Sequence, residues 1–375
     1  MLLCTSCQKG EVADRLGKSG ELEEENEIEE DQPLTDRYFI RESIVTVNEG
    51  NGTAVKLFYV YLDEDLSEQG IANCLEGMKR FNDLDLMFHL ERTDNPKQAH
   101  IKALLKEPHE IDNFYAKTFY PKRGMPGSLI RLNRSLYGGE AGTIPDNMET
   151  VFAHELGHAF GFVHLDYEDN KFSCNNLAYD EKHSVPIKPV FGTGASRNIT
   201  NSFMLACMNR NDKRPLLLLD KIGIYNVYGR YRNEGMPFLR YEGKNGYSNY
   251  YTSDYNELKE GNDNYESKGI IGRVFLENTK DDSRTPLAYY YNSKAKDHYY
   301  TNVLSELGMG NDDYEFIRLY YLYRNTDGKS RLPFIRFVHA KTKKHFYTSD
   351  ASEAVEMQKS KYWKYDGVIG YLSAN

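Results

Sequence analysis

Residues 151–166 read VFAHELGHAFGFVHLD. His154 and His158 are four apart, so on a helix they stand one above the other on one face, where two imidazoles reach a single ion. The flanking residues favour such a helix. Met148, Val151, Phe152, Leu156 and Phe160 supply apolar faces. Pro145 and Asp146 precede them, with Glu149 three residues after Asp146, the order of a capping box. Gly161 marks where the chain turns away, and beyond that turn His164 brings a third imidazole.

Three histidines are the donor set of a catalytic zinc, which keeps its fourth position open for water. Glu155 projects roughly 100° around the axis from His154, toward that position. Zinc lowers the pKa of such a water toward about 7. Glu155 is then the base that takes the proton and the acid that returns it to the leaving amine. HExxH alone is a weak signal, whereas the full HExxHxxGxxH behind a helix start is a strong one.

The composition excludes several other classes. With 47 basic and 56 acidic residues the net charge is −9, which leaves no basic surface of the kind that neutralises phosphates. Nucleic acid is therefore not an expected partner. No run of about 18 apolar residues encodes a membrane span, so contact with a membrane is expected only through a lipid anchor. The anchor is suggested by MLLCTSCQKG followed by GELEEENEIEED, Gly20 to Asp31. That order resembles the end of a bacterial lipoprotein signal, with Cys7 as the lipidated residue and an acidic tether behind it. No second CxxC accompanies Cys4 and Cys7, as a four-ligand zinc site would need.

Texture divides the chain into 1–35, the signal remnant and tether; 36–232, the part that carries the histidines; and 233–375, which is tyrosine-rich. In the middle part AVKLFYVYLDE (54–64), LDLMFHLER (84–92), AHIKALLKE (99–107) and GSLIRLNRSL (127–136) read as strands, and EQGIANCLEGMKRFND (68–83) as a helix. The expected fold is α+β, a mixed sheet plus one site-bearing helix. GSLIRLNRSL is either the edge strand above the cleft, pairing with extended substrate, or an interior strand.

HELGHAFGFVH resembles the zinc signature of the metzincin metalloendopeptidases, and with Asp166 after the third histidine it is most similar to the bacterial dual-action HEIGH metallopeptidase family. Ser173 and Cys174, Gly192 and Thr193, and NSFMLAC (201–207) extend the resemblance. It implies a metzincin-like catalytic domain, zinc as cofactor, a protein or peptide substrate and a Met-turn at Met204 beneath the metal, with Met208 the weaker alternative. LDKIGIYNVYG (219–229) resembles the helix that closes such domains. Ala206 stands where some metzincins carry an assisting tyrosine. Cys174 and Cys207 flank the expected cleft and either pair, as export permits, or remain two buried thiols. Asp166 reads as structural support, accepting a hydrogen bond near the ligands.

Residues 233–375 hold 19 of the chain's 30 tyrosines. MPFLRYEGKNGYSNYYTSD, TPLAYYYNSKAKDHYYTNV and LPFIRFVHAKTKKHFYTSD align without gaps, from Pro237, Pro286 and Pro333 to Tyr251, Tyr300 and Tyr347. Each runs on to a second strand signal, in GIIGRVF, IRLYYLY and GVIGYLSA. Three copies suggest a closed all-β unit, with a β-trefoil favoured over a looser stack of hairpins. The copies resemble a repeat found at the ends of bacterial secreted proteins. The tyrosines build the repeat core on the simpler reading; exposed ones would suit a glycan or protein ligand.

These readings converge on an exported zinc metalloendopeptidase, extracellular or at the cell surface, with an accessory repeat domain. The competing reading is an adhesin-like binding lipoprotein whose protease domain is inactive or latent. Retention of Glu155 with all three histidines argues against it, because an inactive copy has no chemical need for the glutamate.

Overall fold

Along KLFYVYL every second side chain from Phe58 is buried, the period of a strand with one face on a core. This is β1 (Lys56–Leu62). The computed structural model describes residues 3–4, 39–41, 44–47, 55–111, 114–139, 144–167, 173–174, 187–190, 193, 201–277, 282–328 and 330–375. Helix α1 (Glu68–Asn82) follows, capped by the Ser67 hydroxyl, which accepts from the Gly70 amide at 3.0 Å. Strands β2 (Phe88–Thr93), β3 (Ile101–Lys106), β4 (Ala116–Thr118) and β5 (Leu129–Asn133) complete a sheet of order β2-β1-β3-β5-β4. All pairs are parallel except β4 with β5. GSLIRLNRSL is thus interior, and the edge belongs to β4, too short to announce itself in the sequence.

Helix α2 (Met148–Ala159) carries the first two histidines, and every residue of it but Glu149 is buried. The expected capping box does not form: the N-cap is Asn147, without a side-chain cap bond. Glu149 instead binds Arg80 of α1 at 2.7 Å, both side chains largely shielded, because a charge-assisted bond outweighs a neutral cap. Phe160, just past the helix, stacks on Phe88 with ring centroids 4.1 Å apart and meets Phe58, Phe81 and Tyr228. Truncating such a ring costs roughly 3–5 kcal/mol, so this cluster anchors the site helix to the sheet. Helix α3 (Leu218–Tyr228) closes the domain and sends the Tyr228 hydroxyl to the Phe160 carbonyl.

From Met236 on, the chain is built of β-strands, with only short helical segments between them. Each copy is a long, a short and a long strand: β6 (Met236–Gly243), β7 (Tyr250–Thr252), β8 (Tyr265–Val274); β9 (Arg284–Asn292), β10 (Asp297–Thr301), β11 (Glu315–Tyr323); β12 (Arg331–His339), β13 (His345–Thr348), β14 (Trp363–Ser373). The first strand of each pairs with the other two. The aligned tyrosines close the unit. The Tyr300 hydroxyl accepts from the Tyr251 amide and donates to its carbonyl. Tyr347 does the same to Tyr300, and Tyr251 to Tyr347. Tyr241, Tyr255, Tyr290 and Tyr320 are also buried, so the tyrosines do build this core.

An acid ring repeats the theme outside. Glu353 binds Arg240, Glu306 approaches Arg336, and Glu257 binds Arg318. Arg318 lies across the ladder from Tyr289, which occupies the arginine position of its copy, so the charge has moved one strand over. The repeats meet the α/β part of the chain where the Glu260 carboxylate accepts from the first amides of α3, Leu218 and Leu219, each at 3.1 Å.

Candidate metal centre

α2 places His154 and His158 one turn apart, their ring centroids separated by 4.5 Å. Gly161, at φ +102°, then reverses the chain in the left-handed region that glycine adopts without strain, and His164 returns beneath them. The Nε2 atom of His164 lies 3.1 Å from Nε2 of both His154 and His158. All three rings are buried.

These nitrogens fit a cation. Nδ1 of His154 donates to the Phe203 carbonyl at 2.7 Å and Nδ1 of His158 to the Phe162 carbonyl at 2.8 Å, which puts the lone pairs of both rings on Nε2. Two lone pairs then face a third nitrogen that has at most one proton to offer. Zinc bonds of about 2.0–2.1 Å at tetrahedral angles set ligand nitrogens roughly 3.3 Å apart, within a few tenths of the spacing here. Among the described residues this is the one group of His, Cys, Asp or Glu side chains clustered tightly enough for an ion.

Glu155 is fully buried beside the cluster. Burial raises its carboxyl to about 7, opposed by the hydroxyl of Thr118, which donates to Oε2 at 2.5 Å, and by the nearby His164. Burial also pushes His154 well below its ordinary value. Thr118 ends the edge strand β4, a position the sequence did not single out, because three residues carry no periodic signal. Two residues on, the Tyr120 ring stands edge-on to His158 at 5.2 Å with the Arg41 guanidinium over it at 3.5 Å.

The segment after Asn201 braces the site from below. Met204 packs its sulfur against Gly157, where any Cβ would lie 2.5 Å from Sδ, so the helix glycine makes room for the methionine. The Leu165 amide donates to the Met204 carbonyl at 2.8 Å, and the Met204 amide to Ser202, whose hydroxyl donates to buried Asp220 at 2.7 Å. Asp166 accepts from the Ala206 amide at 2.9 Å and from the Ser173 hydroxyl at 2.5 Å. Cys174 and Cys207 form a disulfide, S–S 2.09 Å, beside that carboxylate. Met208 pairs with Leu3 in a two-residue ladder. Cys7 and Gly192 lie outside the described residues.

Converging imidazoles on an HExxH helix, a buried glutamate at their side and an adjacent antiparallel edge strand make up the machinery of a zinc metalloendopeptidase. The model of the dual-action HEIGH metallo-peptidases matches residues 15–216, more than half of the chain, and the protein belongs to that family. A second model, a domain of unknown function (DUF5648), matches residues 237–373. No curated protein matches the chain. Among solved structures, high choriolytic enzyme 1, a hatching enzyme zinc-protease from Oryzias latipes (medaka fish), is 14% identical, covering 49% of this chain and 94% of its own at a TM-score of 0.30. Myroilysin is 14% identical, covering 51% of this chain and 98% of its own at 0.32.

Proposed function

We propose that this protein is an exported, surface-tethered endopeptidase in which His154, His158 and His164 hold zinc, Glu155 is general base and acid, and the C-terminal module binds substrate or surface. The convergence of three Nε2 atoms beside the buried Glu155 carries the reading. Bound zinc supplies Lewis acidity to the scissile carbonyl and to the attacking water. Glu155 takes a proton from that water as its oxygen bonds to the carbonyl carbon, and delivers it to the amine nitrogen as the C–N bond breaks. Burial of the carboxyl, which in the metal-free site raises it above the ordinary carboxylate range, favours holding that proton between the two halves of the exchange. β4, with one edge unpaired among the described residues, offers amide and carbonyl groups to an extended peptide.

Gly161, Asp166 and Met204 are read as support for the ligands. The disulfide between Cys174 and Cys207 favours an oxidising compartment, which agrees with a lipidated Cys7 and the acidic tract as tether at the bacterial surface. The change of architecture between Tyr228 and Met236 agrees with a boundary near 232. The cyclic tyrosine ring supports a trefoil-like closure of the three copies, with a glycan or protein as their ligand. The test is a diverse peptide library incubated with the protein and with Glu155→Ala, cuts being read by mass spectrometry. Internal cuts by the parent alone establish the endopeptidase; silence from a zinc-loaded parent leaves the binding lipoprotein.

A further inference from the structure

The pseudo-threefold symmetry of the repeats breaks at one corner. Tyr265, Tyr314 and Trp363 are spaced 49 residues apart; Tyr265 and Trp363 open the third strand of their copies and Tyr314 directly precedes it, and Tyr265 and Trp363 pair across the ladder with Gly243 and His339 at matching registers. Asn249, His298 and His345 match likewise, two residues before the ring tyrosines. In two corners these positions interlock. The Tyr265 hydroxyl bonds Nε2 of His298 at 2.6 Å. The Tyr314 hydroxyl donates to buried Asp297 at 2.8 Å, and Asp297 holds Nδ1 of His345 at 2.7 Å.

The third corner has no such pair. Trp363 replaces the tyrosine and the shorter Asn249 replaces the histidine, and between the first and third copies a cavity of about 360 Å³ opens. Its walls include Trp363, His339, Asn249, Ser248, Tyr247 and Met357. Met357 comes from α4 (Ala351–Lys359), a nine-residue helix where the other copies have only three-residue 3-10 turns.

The lining chemistry selects a ligand class. Glu242, Lys344 and His345 border the cavity, and all three are engaged: Glu242 binds Lys268 at 2.7 Å, Lys344 donates to the Gly246 carbonyl, and Nδ1 of His345 meets Asp297 at 2.7 Å. What faces the space is neutral. Nδ1 of His339 accepts from the Thr342 amide at 3.1 Å, which leaves the proton on Nε2 as a donor. The buried Ser248 oxygen accepts from the His298 amide at 2.7 Å and has its own hydrogen to donate. Beside these directional groups stand the indole and the Tyr247 ring, which carries the Lys296 ammonium 4.4 Å from its centroid; the indole offers an apolar face of the kind the C–H face of a pyranose covers. We propose that this corner binds a neutral sugar of one or two rings, a size suited to a cavity at the small end of ligand pockets.

The proposal rests on the reading of the repeats as a binding module and is independent of the peptidase. Trp363 is the chain's one tryptophan, so fluorescence excited at the red edge, beyond the absorption of the tyrosines, reports on this corner alone. The full-length protein is titrated with methyl galactoside, methyl mannoside and N-acetylglucosamine, beside glucuronate, glucose 6-phosphate and short peptides. At least one neutral sugar is expected to give a saturable change. Asn249→Leu should weaken it roughly tenfold or more; because Oδ1 of Asn249 also accepts from the Gly243 amide at 3.1 Å, the melting temperature is recorded beside it to separate lost binding from lost fold. Trp363→Tyr, which restores the residue of the other corners, should abolish the heat of binding in calorimetry. Saturation by none of the neutral sugars, saturation by charged or peptide probes only, or full affinity in both variants overturns the inference. Peptide hydrolysis is assayed on the same preparation: cleavage without sugar binding removes only this inference, and sugar binding without cleavage removes only the peptidase.

Discussion

The hydroxyl of Thr118 donates to Oε2 of Glu155 at 2.5 Å, with both side chains buried. The bond joins the edge strand, where an extended substrate would pair, to the carboxylate that the proposed mechanism makes the proton carrier. Thr118→Val keeps the shape and removes the hydroxyl, freeing a carboxylate that catalysis needs in one orientation. A misplaced reacting group costs up to about a hundredfold, so kcat should fall roughly tenfold to a hundredfold with KM little changed, and Thr118→Ser should restore most of it. A rise in KM at unchanged kcat would assign Thr118 to substrate binding instead.

The protonation of Glu155 gives the metal-free protein a distinctive pH dependence. Burial lifts its carboxyl from an ordinary 4.5 to about 7. Between those values the folded state binds more protons than the unfolded one, so this group's contribution to stability is present at low pH and is lost as pH rises toward and past 7. Buried His154, lowered well below 6.5, acts in the opposite sense and costs stability as pH falls below that value. Glu155→Gln removes only the first effect. With zinc stripped, the melting temperature of the variant relative to the parent should climb between about pH 5 and pH 8. A constant offset would mean that Glu155 is not held neutral in the fold.

How much of this was legible beforehand depends on how local the information is. His154, Glu155, His158, Gly161 and His164 lie within eleven residues, and helical spacing with one glycine turn almost determines their geometry. The repeat core was equally readable, because three gapless copies put Tyr251, Tyr300 and Tyr347 in register before any contact was known. Thr118 and the edge strand were hidden, since a three-residue strand has no period and its partners lie 12 residues or more away. The capping box misled because Glu149 had a better partner in Arg80, 69 residues earlier, which no local pattern reports. Likewise, the missing tyrosine of the third corner becomes visible only once the other two are seen to be interlocked.

Asp166 ties the loop of the third histidine to the segment under the helix through the Ala206 amide and the Ser173 hydroxyl. Asp166→Ala strands the buried Ala206 amide, which costs roughly 1–3 kcal/mol, releases the half-buried Ser173 hydroxyl, and lets His164 drift. Zinc affinity is expected to drop about tenfold to a hundredfold, as for other partners that orient ligands. Competition against a chromophoric chelator measures it. Undiminished affinity would reduce Asp166 to a loop-ending residue.

The disulfide between Cys174 and Cys207 closes a loop with a sequence separation of 33. Chain-entropy arguments give such a link about 3–4 kcal/mol. Replacing both cysteines by alanine should lower the melting temperature by several degrees, and added reductant should bring the parent down to the same value. A reductant-insensitive parent would show that the bond does not form in solution.

The tyrosine ring offers the cleanest separation of a hydroxyl from the ring that carries it. In Tyr300→Phe the aromatic contacts with Tyr251 and Tyr347, at centroid distances of 5.5 and 5.3 Å, can persist. The lost hydroxyl leaves the Tyr251 amide and carbonyl without the partner that served both. Each buried group stranded in this way costs roughly 1–3 kcal/mol, so the module should lose a few kcal/mol in a denaturant titration. Because the ring is cyclic, Tyr251→Phe and Tyr347→Phe should cost similar amounts, and the triple variant less than their sum, since the strands are then free to relax together. A cost near zero for the single change would mean that shape alone closes the repeats.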